Sequence, residues 1–550
     1  MNERPGLGER FGAYLASTSS DARIFGVAYL LLLPLYLAPL YATAPLFPGL
    51  DLPFHLSMAD MLAKSGRPDS PYAPFYEGAP MLAPYAAHYL ALWLMSKAMS
   101  ILTAHTILTG LYVAGMPLAV SSLLNVLGRS RLPALLAFPL AYSLPLNYGF
   151  ISFAFSLPVL VLFLAQLGRL LLSSPPVGGR WLATAALALL LFLCHLQNFV
   201  YGVCAAGAYV LFSAVPWRRR LLSLTTVLPA LGALGWWQKH IRPEALHRPR
   251  GLAFAWQAVK SSRLRDLPGG PHPWLHDLEE HILNIPVNAL RGFTDRSDVK
   301  ASNALLLLIG VYFCMGLAGR LLLPGPTRGK PRMRTSAWVA FLGAFAAYFL
   351  LPHHLNEFDI VTFFPRFAPL VVLMMLPLIP RGLRRFTGGL GLLLSVPALV
   401  FCVVWGLELY KHHRAYADEI SDFRAVMAAA KPGHRLINMP FDRRSRVMAV
   451  ESALIGLGSY YPLLKPHPKS MVPLQYCDMM HMPCARKPGS ALPDPTPWAP
   501  DKLDRNKGIA FYDYFLVRSP PPGFYLGANH DVELIARRGT WLLYRRKGVP

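Results

Sequence analysis

Long apolar runs recur along this chain, at 24–44, 105–127, 131–147, 149–173, 181–196, 198–215, 221–238, 301–322, 336–352, 366–380 and 386–409. About 20 apolar residues in a helix cross the roughly 30 Å hydrocarbon layer of a bilayer. So much apolar sequence leaves no room for a fold that lives in water. The balance agrees: 54% of the residues are hydrophobic and 15% charged, where a soluble domain carries about 25% charge. A net charge of +24 would otherwise suggest nucleic acid as a partner, but no basic-aromatic array accompanies it. The cations must first be placed relative to a membrane.

Their placement is regular. The connectors GRSR (Arg129, Arg131), GRLLLSSPPVGGR (Arg169, Arg180), WRRR (Arg218, Arg219, Arg220), GRLLLPGPTRGKPRMR (from Arg320 to Arg334) and RGLRR (Arg381, Arg384, Arg385) are basic and hold no acidic residue. Positive connectors stay in the cytoplasm. All five fall on one side only if residues 84–102, apolar but interrupted by His88 and Lys97, lie along the surface without crossing. The expected fold is a polytopic α-helical membrane protein of about 11 spans in residues 1–409, with outer loops 45–104 and 239–300. Its N-terminus is inside the cytoplasmic membrane and its C-terminus outside. The first run is longer than a secretory h-region of about 7–15 residues, so it is read as an uncleaved span despite the ATA at 42–44.

From 410 to 550 the pattern changes. YADEISDFRAVMAAAK has helical apolar spacing. HRLINMP, AFYDYFLVR and VELIARRGTWLLYRR read as strands, the last as a hairpin turning at 537–540. This is an extracytoplasmic α+β domain.

On this layout nearly every polar residue capable of chemistry lies at the outer face. Asp51 follows the Pro48-Gly49 turn, with Pro53 suited to the first turn of a helix. It is a helix cap by position or a working carboxylate, and His55 lies one turn on. Arg366, in TFFPRFAPL, stands at the mouth of a span, where a cation is costly unless paired; its fork suits phosphate, or it anchors the interface. His353, His354, Glu357 and Asp359 precede it and include metal-ligating types. His195, Gln197, Asn198 and Asn147 sit at tips between spans, as inexpensive polar turns or as sugar-hydroxyl ligands. Cys477 and Cys484, outside the cytoplasm, read as a disulfide, with a soft-metal site formed with Met479, Met480, His481 and Met482 as the alternative.

One span, then an outer loop opening on Asp51 and an amphipathic helix, then basic inner turns and a C-terminal outer α/β domain, resembles the GT-C class of membrane glycosyltransferases, which includes protein O-mannosyltransferases and aminoarabinose transferases. The resemblance covers most of the chain in architecture more than in motif. It implies transfer of a sugar from a polyprenyl-phosphate donor to a glycan, lipid or protein acceptor. Asp51 would activate the acceptor or help hold a divalent metal, with His55 beside it as a second catalytic group. Arg366, His195, Asn198, Asn147, His353, His354 and Glu357 would form the substrate-binding set. Many members carry a second acid in the next outer loop, where this chain has Asn147, so the metal is left open. A non-catalytic assembly or sensor protein of the same fold is the alternative. A transporter fits less well, because it would place its ionisable groups at mid-bilayer.

Overall fold

The computed structural model describes residues 20–549, apart from 66, 68, 79–80, 174–177, 241–273, 324–333, 352–363, 387, 476, 478–483, 488, 491 and 494–496. Among the described residues, five helices are long and apolar enough to cross a membrane. They are α1 (Ser20–Thr43), α4 (Ile101–Val126), α5 (Ile151–Leu172), α10 (Ser297–Leu322) and α13 (Gly388–Glu419). Between them stand α2 (Leu52–Lys64), α3 (Ala86–Met95), α6 (Gly178–Cys194), α7 (Leu196–Leu211), α8 (Leu228–His240), α9 (Trp274–Leu290), α11 (Arg334–Leu350) and α12 (Ala368–Met375).

The basic connectors meet in space. Arg381 Nε donates to the Leu127 carbonyl (3.2 Å) and its guanidinium lies over Gly128. Arg385 reaches the Gly319 and Arg320 carbonyls, each at 3.3 Å. Arg219 donates to Leu171 O at 3.4 Å. Asp21, at the start of α1, accepts from Ser130 Oγ (2.5 Å) and from the Arg131 amide (2.9 Å). One end of the bundle is therefore the basic end, and α1 begins there.

The segment 84–102 divides. Helix α3 has ten residues, about 15 Å at 1.5 Å per residue. That is half the depth of the hydrocarbon layer. A turn then leads into α4, which Ser100 caps by accepting from the Thr103 amide.

Two apolar runs are not regular helices. Residues 131–147 form the short pieces Leu132–Leu136, Ala137–Ala141 and Leu144–Tyr148, broken around Pro133, Pro139 and Pro145. Residues 366–380 are cut in the same way around Pro369 and Pro377. From Leu132 to Phe150 every residue is buried. Broken backbone is tolerated at membrane depth only inside protein, so the proline-rich runs take the interior and the regular helices surround them.

The boundary expected near Tyr410 falls inside α13, which continues unbroken to Glu419; a turn at Ile420 precedes α14 (Ser421–Ala428). The C-terminal unit holds a four-stranded sheet in the order β2 (Leu436–Pro440), β4 (Tyr514–Arg518), β6 (Trp541–Arg546), β5 (Val532–Arg538). β2 runs parallel to β4 and the other pairs are antiparallel. Every residue of β2, at the sheet edge, and of β4, inside the sheet, is buried, as expected of strands covered on both faces. Ile437, Met439, Phe515 and Val517 face a small core of their own, while Leu436, Tyr514 and Leu516 join the main core. The hairpin β5–β6 turns at Gly539. A second pair, β1 (Tyr76–Gly78) with β3 (Cys484–Arg486), joins the first loop to the C-terminal unit.

Candidate active site

Asp51 enters the site through its backbone. Its amide donates to Tyr148 O at 3.0 Å, fixing the start of α2 against the turn Leu144–Tyr148. That turn closes on Gly149 with φ +84°; a Cβ there would lie 2.5 Å from Leu52 N and 2.9 Å from Asp51 N. Only glycine permits both the left-handed backbone and this approach. Asp51 holds the N-cap position of α2, yet its side chain makes no capping hydrogen bond. The carboxylate instead bears electrostatically on Tyr89 and Arg366.

His55 follows one turn later, its amide bonded to Asp51 O at 3.0 Å. Its Nδ1 lies 2.5 Å from the Tyr89 hydroxyl. Both residues are buried, where an intact hydrogen bond matters because a broken one leaves a desolvated polar atom. Helix α3 therefore supplies the partner of the α2 histidine.

Arg366, in the turn Pro365–Phe367, sets its guanidinium 3.7 Å from the centroid of the Phe150 ring, within cation–π range. Among the described residues, the Asp51 carboxylate and the Tyr85 phenol are its electrostatic neighbours. Tyr85, the residue before α3, has φ 69° and ψ −6°. A bulky side chain in this left-handed region is an outlier that costs of order 1–3 kcal/mol. Its ring meets that of His195 edge-on at 4.6 Å. Burial pushes the Tyr85 phenol up to about 12, with Arg366 opposing, so it keeps its proton.

The far end of α2 is clasped by the C-terminal unit. Lys64 Nζ bonds Asp60 Oδ2 (2.7 Å) and Ser470 O (3.2 Å). Tyr76 Oη accepts from the Leu474 amide (2.9 Å). Cys484 Sγ is 3.6 Å from Met58 Sδ, and Cys477 and Cys484 form a disulfide. Burial pushes Asp60 up to about 6 against the opposing pull of Lys64.

Of the residues singled out from sequence, Asp51 bonds Tyr148 and Arg366 lies on the ring of Phe150, two residues on; His55 is one turn from Asp51, and His195 touches Tyr85. The expectation that the tips face water does not hold for His195, Asn198 and Asn147, which are 2%, 0% and 0% exposed. Asn198 Nδ2 donates to Ser156 Oγ (2.5 Å) and ties α7 to α5. Asn147 Nδ2 donates to the carbonyls of Tyr142 (3.2 Å) and Arg291 (3.1 Å), fastening the Gly149 turn. Both amides are engaged with the protein's own interior. His353, His354 and Glu357, like Asp359, lie outside the described residues.

Sequence reasoning missed Tyr85, Tyr89, Phe150 and Gly149. A signal existed in LAPYAAHY, where Tyr85 and Tyr89 are four apart and share a helical face. Among the described residues, Asp295, Glu408 and His412 are close enough to share a metal ion. Asp295 Oδ2 lies 3.0 Å from His412 Nε2, and Glu408 pairs with Lys411 at 2.9 Å.

No protein-family model matches the chain, and no curated protein matches it. The resemblance to membrane glycosyltransferases read from the sequence recurs among solved structures. The chain is similar to the cryo-EM structure of arabinofuranosyltransferase AftD from Mycobacteria, at 12% identity and TM-score 0.48, over 96% of this chain and 40% of that one. It is also similar to the crystal structure of ArnT from Cupriavidus metallidurans bound to undecaprenyl phosphate, at 11% identity and TM-score 0.48, over 95% of this chain and 97% of that one. The chain thus spans well under half the length of the AftD chain.

Proposed function

We propose that this membrane protein is a glycosyltransferase that moves a sugar from a polyprenyl-phosphate donor to an acceptor at the outer face of the cytoplasmic membrane. One observation carries the reading. Asp51, not spent as a helix cap, and Arg366, from far along the sequence, meet the same turn: the Asp51 amide bonds Tyr148 O at 3.0 Å and the Arg366 guanidinium lies 3.7 Å from the Phe150 ring centroid. A carboxylate beside a phosphate-binding cation is the pair that transfer from a lipid phosphate requires.

In the reaction Asp51 takes the proton of the acceptor hydroxyl. The acceptor oxygen bonds to the anomeric carbon as the bond from that carbon to the phosphate oxygen breaks. The departing phosphate keeps the electron pair, and Arg366 stabilises the growing charge. His55, held by Tyr89, borders the base. General-base help of this kind is worth typically 10²–10⁴ in rate. The gathering of basic connectors at one end supports a cytoplasmic position for that end and hence an outer position for the site and the C-terminal unit.

The test is to incubate the purified protein in lipid vesicles with radiolabelled polyprenyl-phosphate sugars and follow label into acceptor or water. Transfer is expected. Intact donor across all sugars would contradict the reading and favour a non-catalytic assembly protein, to which the amide at Asn147 also inclines. A chelator arm reads the divalent metal: loss of transfer would give Asp51 the additional role of helping to hold a cation.

A further inference from the structure

We propose that Asp295, Glu408 and His412 bind one divalent transition-metal cation of the zinc class, which fastens the far end of α13 to the connector between α9 and α10. The site shares no residue with the one assigned to transfer and goes beyond that reading.

The first observation is two lone pairs turned on each other. His412 Nδ1 lies 2.8 Å from the main-chain carbonyl of Glu408. A carbonyl only accepts, so Nδ1 carries the proton and Nε2 offers a lone pair. Nε2 faces Asp295 Oδ2 at 3.0 Å, and a carboxylate oxygen also offers only lone pairs. The Ser297 hydroxyl, 3.5 Å from Nε2, gives its one proton to Asp295 Oδ1 at 2.8 Å. Two acceptors so close need a positive charge between them, either a second proton on the imidazole or a metal ion.

The surroundings favour the ion. Glu408 stands one turn before His412 on the same face of α13, and one ligand atom from each of the three residues lies within 4.8 Å of the other two. A proton is shared by two acceptors, whereas one imidazole and two carboxylates, with water in the fourth place, make a zinc set. The ligand groups are also held from behind, as metal ligands are. The Glu408 carbonyl fixes the histidine tautomer, and Phe293 stacks on the imidazole with centroids 4.0 Å apart. Asp295 Oδ1 accepts from the amide and hydroxyl of Ser297, leaving Oδ2 for the ion. His412 is buried, but the Asp295 and Glu408 side chains are 53% and 33% exposed, which gives an ion entry from water. Lys411, paired with Glu408, is itself exposed on a flexible stem and free to swing away. The ion would brace a joint: Thr294 bonds Val447 O of the C-terminal unit at 3.0 Å, and Arg291 O accepts from Asn147.

The experiment measures zinc affinity and thermal unfolding of the untagged full-length chain in nanodiscs, beside Asp295→Asn and Glu408→Gln. The unaltered chain is expected to bind zinc and to gain roughly 2 °C in Tm at about a hundredfold excess over Kd. Each variant should bind zinc roughly 10-fold or more weakly and lose that gain. Asp295→Asn keeps the shape, and its amide donates to Nε2, so the metal-free variant should unfold where the metal-free chain does; if it fails to fold, Glu408→Gln at its partly exposed position decides. Undiminished zinc affinity in both variants would place the ion elsewhere and overturn the assignment. A chain that binds no zinc would leave Asp295 and His412 as a protonated ion pair and also overturn it. Magnesium is the comparison ion: binding as tight as zinc's would contradict an imidazole ligand, because nitrogen favours zinc. A chelator would strip this ion too, so only chelator-sensitive transfer that persists in Asp295→Asn speaks for a cation at Asp51.

Discussion

Arginines stand at both ends of the helical bundle and are used differently. At the basic end they sit on the last carbonyls of helices. Arg381 bonds Leu127 O at the end of α4, Arg219 bonds Leu171 O in α5, Arg385 bonds Gly319 O in α10, and Arg220 bonds Leu211 O at the end of α7 (3.2 Å). Those carbonyls lack helical partners and lie at the negative end of the dipole. The cations there complete the fold. At the other end Arg366 lies on an aromatic ring with a carboxylate and a phenol as its electrostatic neighbours. A cation that caps a carbonyl is finished structure, whereas a cation set among a potential base and a phenol is equipped for a ligand.

The sharpest way to break this comparison is Asp51→Asn. Asparagine caps a helix about as well as aspartate, so the variant is expected to unfold at the wild-type temperature and lose transfer by roughly 10²-fold or more. Normal turnover would return Asp51 to a cap. Gly149→Ala comes next. Its Cβ would press on Leu52 N and Asp51 N, so transfer is expected to fall roughly 10-fold through displacement of the carboxylate. Stability should fall by about 1 kcal/mol or more, because alanine is strained at positive φ. Wild-type Tm and turnover would show that the turn does not position Asp51.

A smaller effect concerns the clasp on α2. The folded chain holds the Asp60 proton more tightly than the unfolded chain, with titration near 6 instead of 3.8. The stability it contributes is thus present at pH 4 and declines as pH rises through 6, by at most about 1.4 kcal/mol per unit. Thermal unfolding between pH 4 and 6 should show that slope, and Asp60→Asn should flatten it; an unaltered slope in the variant would assign the dependence elsewhere. The smallest effect is expected of Arg381→Lys at the basic end, which should keep transfer within about twofold while costing up to about 1 kcal/mol of stability through the altered carbonyl contact. A large loss of transfer there would erase the contrast between the two ends.

Much of this arrangement was legible in the sequence, for physical reasons. Acid-free arginine clusters between apolar runs have one favourable side of a membrane, and the fold gathers them. The Pro48-Gly49 turn and Pro53 announced α2 and with it Asp51. Other features were hidden. Apolarity does not register the prolines at 133, 139 and 145, which break a run that otherwise has the length of a span. Polarity at 195–198 and 147 was read as contact with water, but His195 packs between the rings of Tyr85 and Phe153 and Asn147 binds main-chain carbonyls. The change from apolar to amphipathic composition near 410 looked like a boundary, yet helix geometry is indifferent to it and α13 runs on. The place of Tyr85 and Tyr89 depends on what α2 brings beside them, which the apolarity of residues 84–102 does not register.

We propose that Asp51 and Arg366 serve one transfer, Asp51 at the acceptor proton and Arg366 at the sugar phosphate. The most direct measurement assays two properties side by side, affinity for sugar-free polyprenyl phosphate and transfer of labelled sugar, in the unaltered chain, Asp51→Asn and Arg366→Lys. The account predicts that Asp51→Asn keeps lipid-phosphate affinity and loses transfer. It predicts that Arg366→Lys, which retains charge but not the bidentate fork, loses affinity by roughly 10-fold and transfer with it. Equal losses of affinity in both variants, or none in Arg366→Lys, would contradict it.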